Sequence, residues 1–247
     1  RAFSFDVLPS SLIDNMMIYK SPSAELPADF SGGFVRVMTK NIPDGNTFNV
    51  SYQMGFNTNA TFRNFQLTDG TAKDYLGFGA DVRNLPSSFP AHLGEHSTDE
   101  AAAFTRQINQ RWGINKFTAI PDQKISLTSH RSYDVGGWKI GNITNLNWST
   151  EFDYSETVNN NYIAYDVKND VSRPRFEYND IRYKNTSKLG ALFNWSFQRD
   201  GSKYELRNFF SQRGVSALTQ REGMNYYSDK DIRKWESLYT GRTTYSG

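Results

Sequence analysis

The chain has 247 residues, of which 37% are hydrophobic, 15% aromatic and 22% charged, and its formal net charge is +2. No segment approaches the roughly 20 consecutive apolar residues that a membrane helix needs, which excludes a helical membrane protein. The small net charge and the lack of a dense Lys/Arg cluster give no indication of a nucleic-acid partner, and the absence of cysteine excludes thiolate metal sites and disulfides.

The first 43 residues contain short apolar runs separated by turn signals. They predict a helical turn around Pro9–Ile13, a strand at Met16–Tyr19, a loop, and a strand at Phe34–Thr39. We interpret residues 1–43 as the C-terminal part of a small α+β module. Because both ends of the chain interrupt a pattern, we expect it to be a piece of a longer polypeptide.

From residue 44 onward the predicted strands lengthen. In Phe48–Phe56, apolar and aromatic side chains alternate with Asn, Ser, Gln and Gly, as in a strand with one apolar face and one polar face. A second strand is predicted at Lys124–Tyr133, where Arg131 interrupts the apolar face.

The strongest pattern is the run Trp138–Tyr154, which predicts a third strand longer than usual. Its odd positions are mostly polar, and its even positions include Trp138, Ile140, Leu146, Trp148, Phe152 and Tyr154. Long strands with aromatic side chains outward and polar side chains inward are typical of membrane β-barrels. We therefore expect the even face to meet lipid, with Phe152 or Tyr154 at or beyond the outer interface.

Three more strands are predicted at Ser187–Phe197, Lys203–Gln212 and about Trp235–Tyr245. Tight turns are expected at 134–137 and at Asp200-Gly201, whereas residues 58–122, 156–180 and 214–234 are predicted as long loops, the first with a helix at Thr98–Gln110. Short turns on one side and long loops on the other are typical of outer-membrane barrels, so residues 44–247 predict the first five or six strands of one.

The first segment carries the most specific motif, and it resembles the end of the plug domain in TonB-dependent outer-membrane receptors. The matching residues are Leu8-Pro9, the strand leading to Tyr19-Lys20-Ser21-Pro22, the stretch through Asp29, the pair Gly32-Gly33, and the strand ending in Thr39-Lys40. Downstream, 74–78 (DYLGF) with 83–86 (RNLP) is similar to the first long loop of a large subgroup of these receptors.

The resemblance implies a barrel of about twenty-two strands filled by an N-terminal plug. It implies active uptake of a scarce bulky solute, such as a siderophore, cobalamin, glycan or peptide, across the Gram-negative outer membrane, without bond chemistry or a cofactor. The partners would be the periplasmic TonB complex, the solute and membrane lipid, with a surface lipoprotein in the glycan-importing branch. Asp74, Tyr75, Phe78 and Arg83 are candidate substrate contacts, and Leu8, Pro9, Lys20, Gly32, Gly33, Thr39 and Lys40 are expected to have a structural role.

Two other functions stay open at this point: a passive porin or structural barrel, and a soluble β-rich carbohydrate-binding module. His92, Glu95 and His96 have the side chains of metal ligands, but their order and Gly94 favour a solvated loop over a zinc site. Charged residues of the polar strand faces are expected to contact water, one another or the plug, namely Lys139, Glu151, Asp153, Glu205 and Arg207.

Overall fold

The computed structural model describes residues 13–24, 26, 33–39, 43, 45–80, 83–108 and 113–246. The strands are β1 (Ile13–Tyr19), β2 (Phe34–Thr39), β3 (Thr47–Gly55), β4 (Asn64–Thr68), β5 (Ile114–Thr118), β6 (Asp122–Val135), β7 (Trp138–Asp166), β8 (Val171–Arg199), β9 (Ser202–Asn225) and β10 (Lys230–Ser246). The helices are α1 (Thr98–Arg106) and two short 3-10 helices, Ala72–Leu76 and Leu93–Glu95.

About half of the chain forms one antiparallel sheet of six strands in the order β10-β9-β8-β7-β6-β3. The pairs β1–β2 and β4–β5 form two separate two-stranded antiparallel sheets. The all-β antiparallel class is thus confirmed. Within the described residues no pairing joins β3 to β10, so the sheet is open at both edges, as expected for so few strands.

The tight turns have the geometry that their sequences predict. Gly136 and Gly137 have φ of 57° and 81°, and Asp200 and Gly201 have φ of 47° and 80°. Two central residues with positive φ match the twist of an antiparallel hairpin, which is why Gly and Asp occur there.

Several predicted boundaries are wrong. The stretches 156–180 and 214–234 are mostly strand, because β7 continues to Asp166 and β9 to Asn225, and only short turns follow them. These stretches lack apolar alternation, but backbone pairing between two strands does not require it. Helix α1 ends at Arg106 and not at Gln110, although its start is fixed as expected by a capping box between Ser97 and Glu100.

The six-stranded sheet has two chemically distinct faces. Side chains directly opposite one another on paired strands share a face, so the registers assign the even positions of β3, β7 and β9 and the odd positions of β6, β8 and β10 to one face. We call this the aromatic face, and the opposite one the polar face.

The segment between β3 and β6, residues 56–121, is called the insert, and it packs on the aromatic face. Phe65 of β4 is fully buried, and its ring lies 5.3 Å from that of Phe152 and 5.2 Å from that of Tyr183. The sheet also contributes Leu218 to this core, and the insert contributes Ala60 and Ala119. The expectation that the even face of β7 is free to meet lipid is wrong at its far end, because the insert covers Phe152 and leaves it 3% exposed.

The polar face is held by side-chain hydrogen bonds and ion pairs. Asn145 Nδ2 donates to Thr128 Oγ1 at 2.9 Å, and Asn147 Nδ2 donates to Asn145 Oδ1 at 3.0 Å. Four of the five charged residues predicted on this face form ion pairs, in Glu151–Lys188, Asp153–Lys184, Glu205–Lys203 and Glu205–Arg207, and for Lys139 the expected contact stays a prediction.

One ion pair at the end of the sheet remote from the tight turns predicts a pH dependence. Arg221 donates two hydrogen bonds to Asp180, at 2.6 and 2.5 Å, and these bonds hold the pKa of Asp180 below its ordinary value. A lowered folded-state pKa stabilises the fold above the unfolded pKa of about 3.9, and this stabilisation is lost as the pH falls through the folded pKa.

Asp180→Asn is therefore expected to lower the free energy of unfolding in urea by about 1–3 kcal/mol at neutral pH, and by less near pH ~3. Glu222→Gln is the control, since its pair with Arg233 is exposed and should matter little at either pH. An Asp180→Asn effect that is equal at both pH values would contradict this account.

Candidate functional site

The predicted loop residues begin with the 3-10 helix Ala72–Leu76, which Gly77 ends in the left-handed conformation with φ of 82°. The amide of Gly77 donates to the Asp74 carbonyl, and the amide of Phe78 donates to the Lys73 carbonyl at 2.9 Å. A glycine suits this position because it adopts positive φ without steric cost.

This segment packs closely against β9, where Gly77 of the segment meets Gly214 of the strand. A Cβ atom built on Gly214 would lie 2.6 Å from Cα of Gly77, a distance that real side chains do not adopt. The Gln212 side chain donates to the Gly77 carbonyl, and the Phe78 ring stacks on Phe210 at 6.4 Å. On β7, Trp148 Nε1 donates to the Tyr75 carbonyl at 2.6 Å.

Asp74 and Arg83 form a two-point ion pair within the insert. Arg83 donates to the two carboxylate oxygens of Asp74 at 2.9 and 2.6 Å, and also to the Gly79 carbonyl at 2.7 Å. Its guanidinium lies 4.4 Å from the centre of the Tyr239 ring, whose hydroxyl accepts the Gly79 amide at 2.8 Å. The pair therefore fixes the insert to β10.

The structure brings all four predicted substrate-contacting residues together, but at the contact between the insert and the sheet. Asp74 and Arg83 are ion-paired with each other. The side chains of Tyr75 and Phe78 are partly exposed. Substrate contact by these residues stays a prediction. The sequence pattern did not identify Gln212, Gly214 and Tyr239 as the residues that contact this segment. A glycine inside a long strand is nevertheless a signal of close backbone approach.

Arg83→Lys should loosen the insert while keeping its charge. Lysine cannot form the paired hydrogen bonds or the planar stack, so the free energy of local opening should fall by about 1–3 kcal/mol. Hydrogen exchange of the β4 and β5 amides measures this opening. Arg106→Lys on α1 is the matched control, and equal exchange rates in the two variants would contradict the assignment.

A polar cavity of about 920 Å³ opens where the insert meets β7 and β8. It is lined by Asn59, Phe62, Arg63, Asn64, Tyr154, Ser155, Glu156 and Tyr183. A hydrogen bond from Tyr154 to Glu156 raises the pKa of Tyr154 to about 12, so this phenol stays protonated at neutral pH. Phenol, amide, guanidinium and carboxylate groups around one opening suit hydrogen bonding to a polar ligand.

The plug-like residues lie apart from this region where they are described. Lys20 follows β1, Thr39 ends β2 and pairs with Ile13, and Gly33 precedes β2. Among the described residues, a Cβ on Gly33 would meet the Tyr19 carbonyl at 3.8 Å, an ordinary contact. Leu8, Pro9, Gly32, Lys40 and most of the predicted turn Pro9–Ile13 lie outside the described residues.

His96 packs its ring on Phe104, 5.2 Å between centroids, and its Nδ1 lies 3.8 Å from a Glu100 carboxylate oxygen. Among the residues that the structure describes, no group of three or more His, Cys, Asp or Glu is placed to hold a metal ion. None of the described helices is long and apolar enough to span a membrane.

No protein-family model matches the chain, and no curated protein or solved structure matches it either. Any function proposed for the chain therefore rests on the contacts and exposures described above and on the residues that resemble a plug domain.

Proposed function

We propose that the chain forms the wall of an outer-membrane β-barrel that takes up a bulky solute with energy supplied through TonB. The observation that carries the membrane part of this proposal is an uncovered apolar band on the aromatic face, between the tight turns and the insert. The transport part rests on the plug-like segment upstream.

The band consists of side chains that no described part of the chain covers. Its apolar and aromatic members that are at least two-fifths exposed are Phe48, Val50, Tyr52, Met54, Ile125, Tyr133, Val135, Leu146, Phe193, Tyr204, Leu206 and Tyr245. All lie on the aromatic face, by the strand registers. Arg131 and Asn142 lie opposite one another within the band, which is otherwise largely apolar. A largely apolar exposed surface marks contact with a partner or a membrane, because water disfavours it.

The height of the band favours the membrane over a protein partner. On β7 it extends from Trp138, next to the tight turn, to Trp148, where the insert begins to cover the face. Ten residues at about 3.4 Å each would span roughly 24–28 Å if β7 had the tilt of about 35–45° that strands have in outer-membrane barrels. That is the height of the apolar band of outer-membrane barrels, which is about 25 Å and is flanked by aromatic residues.

The polar face is suited to the interior of such a barrel. Asn145, Thr128 and Asn147 are hydrogen-bonded to one another there, Lys184 and Lys188 pair with acidic residues of β7, and a large barrel also encloses water. The two open edges, β3 and β10, would pair with further strands, because unsatisfied backbone groups are costly in lipid.

Uptake by cells tests the transport proposal. Cells that produce the protein and cells that lack it would be given labelled ferric siderophore, cobalamin or oligosaccharide, with and without a protonophore. We expect protein-dependent uptake of one solute class to stop when the proton gradient is dissipated. Protein-dependent uptake that continues would indicate a passive porin.

A soluble β-rich module is the second candidate, because the insert covers part of the aromatic face as it would in a soluble protein. Detergent phase partition separates the two candidates. A membrane wall partitions into the detergent phase, whereas a protein that stays in the aqueous phase without detergent would favour the soluble module.

A further inference from the structure

The insert meets the sheet along a row of contacts that crosses the strands. Trp148 of β7 lies opposite Leu189 of β8, which in turn lies opposite Gln212 of β9. Trp148 and Gln212 both donate to carbonyls of the segment 75–77. The lower edge of the insert therefore follows the upper limit of the uncovered band.

The side chains at this edge are exposed although they are apolar or aromatic. Tyr75 is 48% exposed, Leu76 46% and Phe78 40%, while Gly77 between them is buried against β9. The backbone of the segment is thus fixed to the sheet, while all three hydrophobic side chains stay partly exposed, including that of Phe78, whose ring also stacks on Phe210. Such a group in water would be unfavourable without a partner.

The position of these side chains identifies a partner. In the proposed barrel they would lie on the outward wall, about 25 Å above the turn-proximal end of the band, where the hydrocarbon of the outer leaflet gives way to headgroups. Tyrosine and phenylalanine are favoured there, since their rings are apolar and the tyrosine hydroxyl reaches water.

Resting on the membrane proposal above, we propose that Tyr75, Leu76 and Phe78 form an interfacial anchor that contacts the headgroup–acyl boundary of the outer leaflet. The insert then lies against the outer wall of the barrel, above the lipid, and not over its mouth. In this position the four candidate substrate contacts lie outside the substrate path, and they hold the insert at a fixed height relative to the membrane.

The lack of cysteine in the chain makes a depth measurement direct, because each introduced cysteine is unique. Three variants, Val50→Cys, Leu76→Cys and Val158→Cys, would carry a nitroxide in phosphatidylcholine–phosphatidylglycerol vesicles. All three sites are exposed; Val50 lies in the band and Val158 lies on the aromatic face beyond the insert. The relative accessibility to oxygen and to a water-soluble nickel chelate reports the depth of each label.

We expect the label at Val50 to be deep in the hydrocarbon, the label at Leu76 to lie at the interface, and the label at Val158 to be in water. A label at Leu76 that is as accessible to nickel as that at Val158, or as deep as that at Val50, would overturn the anchor and leave the membrane proposal intact. A label at Val50 in water would overturn the membrane proposal itself.

Discussion

Phe65→Ala is expected to detach the insert from the sheet. Phe65 is fully buried and contacts the rings of Phe117, Phe152 and Tyr183. Removing a buried phenylalanine ring from a core costs about 3–5 kcal/mol, and these contacts join β4 either to the sheet or to its partner strand β5. The β4 and β5 amides should therefore exchange hydrogen faster by about two to four orders of magnitude, at 1.4 kcal/mol per tenfold.

Phe62→Ala is the matched control for this variant. Phe62 belongs to the same insert and has the same side chain, but it is 68% exposed. Its replacement should leave exchange in β4 and β5 within a few-fold of the original rate, since surface substitutions usually change stability by about 0.5 kcal/mol or less. Equal effects of the two variants would show that the β4–β5 pair does not pack on the aromatic face.

Gly214→Val should have the second largest effect. Its first side-chain atom would lie 2.6 Å from Cα of Gly77 and 2.7 Å from the Tyr239 hydroxyl, so the segment 75–79 must move away from β9. Overpacking of this kind costs about 1–3 kcal/mol, and the hydrogen bonds of Gln212 and Tyr239 to the segment would be lost as well. Proteolysis of the native protein at Lys73 or Arg83, followed over time, measures the release of the segment.

Gly241→Val provides the comparison, because Gly241 lies directly opposite Gly214 on β10. A Cβ at Gly241 meets its nearest atom only at 3.5 Å, an ordinary contact. We expect slow cleavage in this variant and fast cleavage in Gly214→Val. Equally slow cleavage in both would contradict the close approach of Gly77 and Gly214.

The sequence predicts the strands and tight turns of this fold well because both depend on local features. Period-two alternation from Phe48 to Phe56 needs only neighbouring residues to be recognised, and Asp200-Gly201 determines a hairpin by its backbone preferences alone. The same features assign the two faces of the sheet before any packing is known.

The packing of the insert could not be predicted in this way. Nothing in the local pattern around Phe65 or Phe152 indicates that one covers the other, since the two residues are far apart in sequence and an outward aromatic face suits lipid and protein equally. The strand extensions to Asp166 and Asn225 were missed for a related reason, because their pairing depends on backbone hydrogen bonds across the hairpin and not on side-chain alternation. For the candidate site, the motif identified Asp74 and Arg83, but only the fold identifies Tyr239 as their partner.

The proposed barrel places the uncovered part of the aromatic face in lipid and the polar face away from it. Val50 and Ser51 are adjacent on β3 and point to opposite faces, so single-cysteine variants at these two positions differ in little else. Each would carry a bimane label in vesicles of brominated phosphatidylcholine, in which only a label in contact with acyl chains is quenched. We predict strong quenching at Val50 and weak quenching at Ser51; equally weak quenching at both positions would contradict the account.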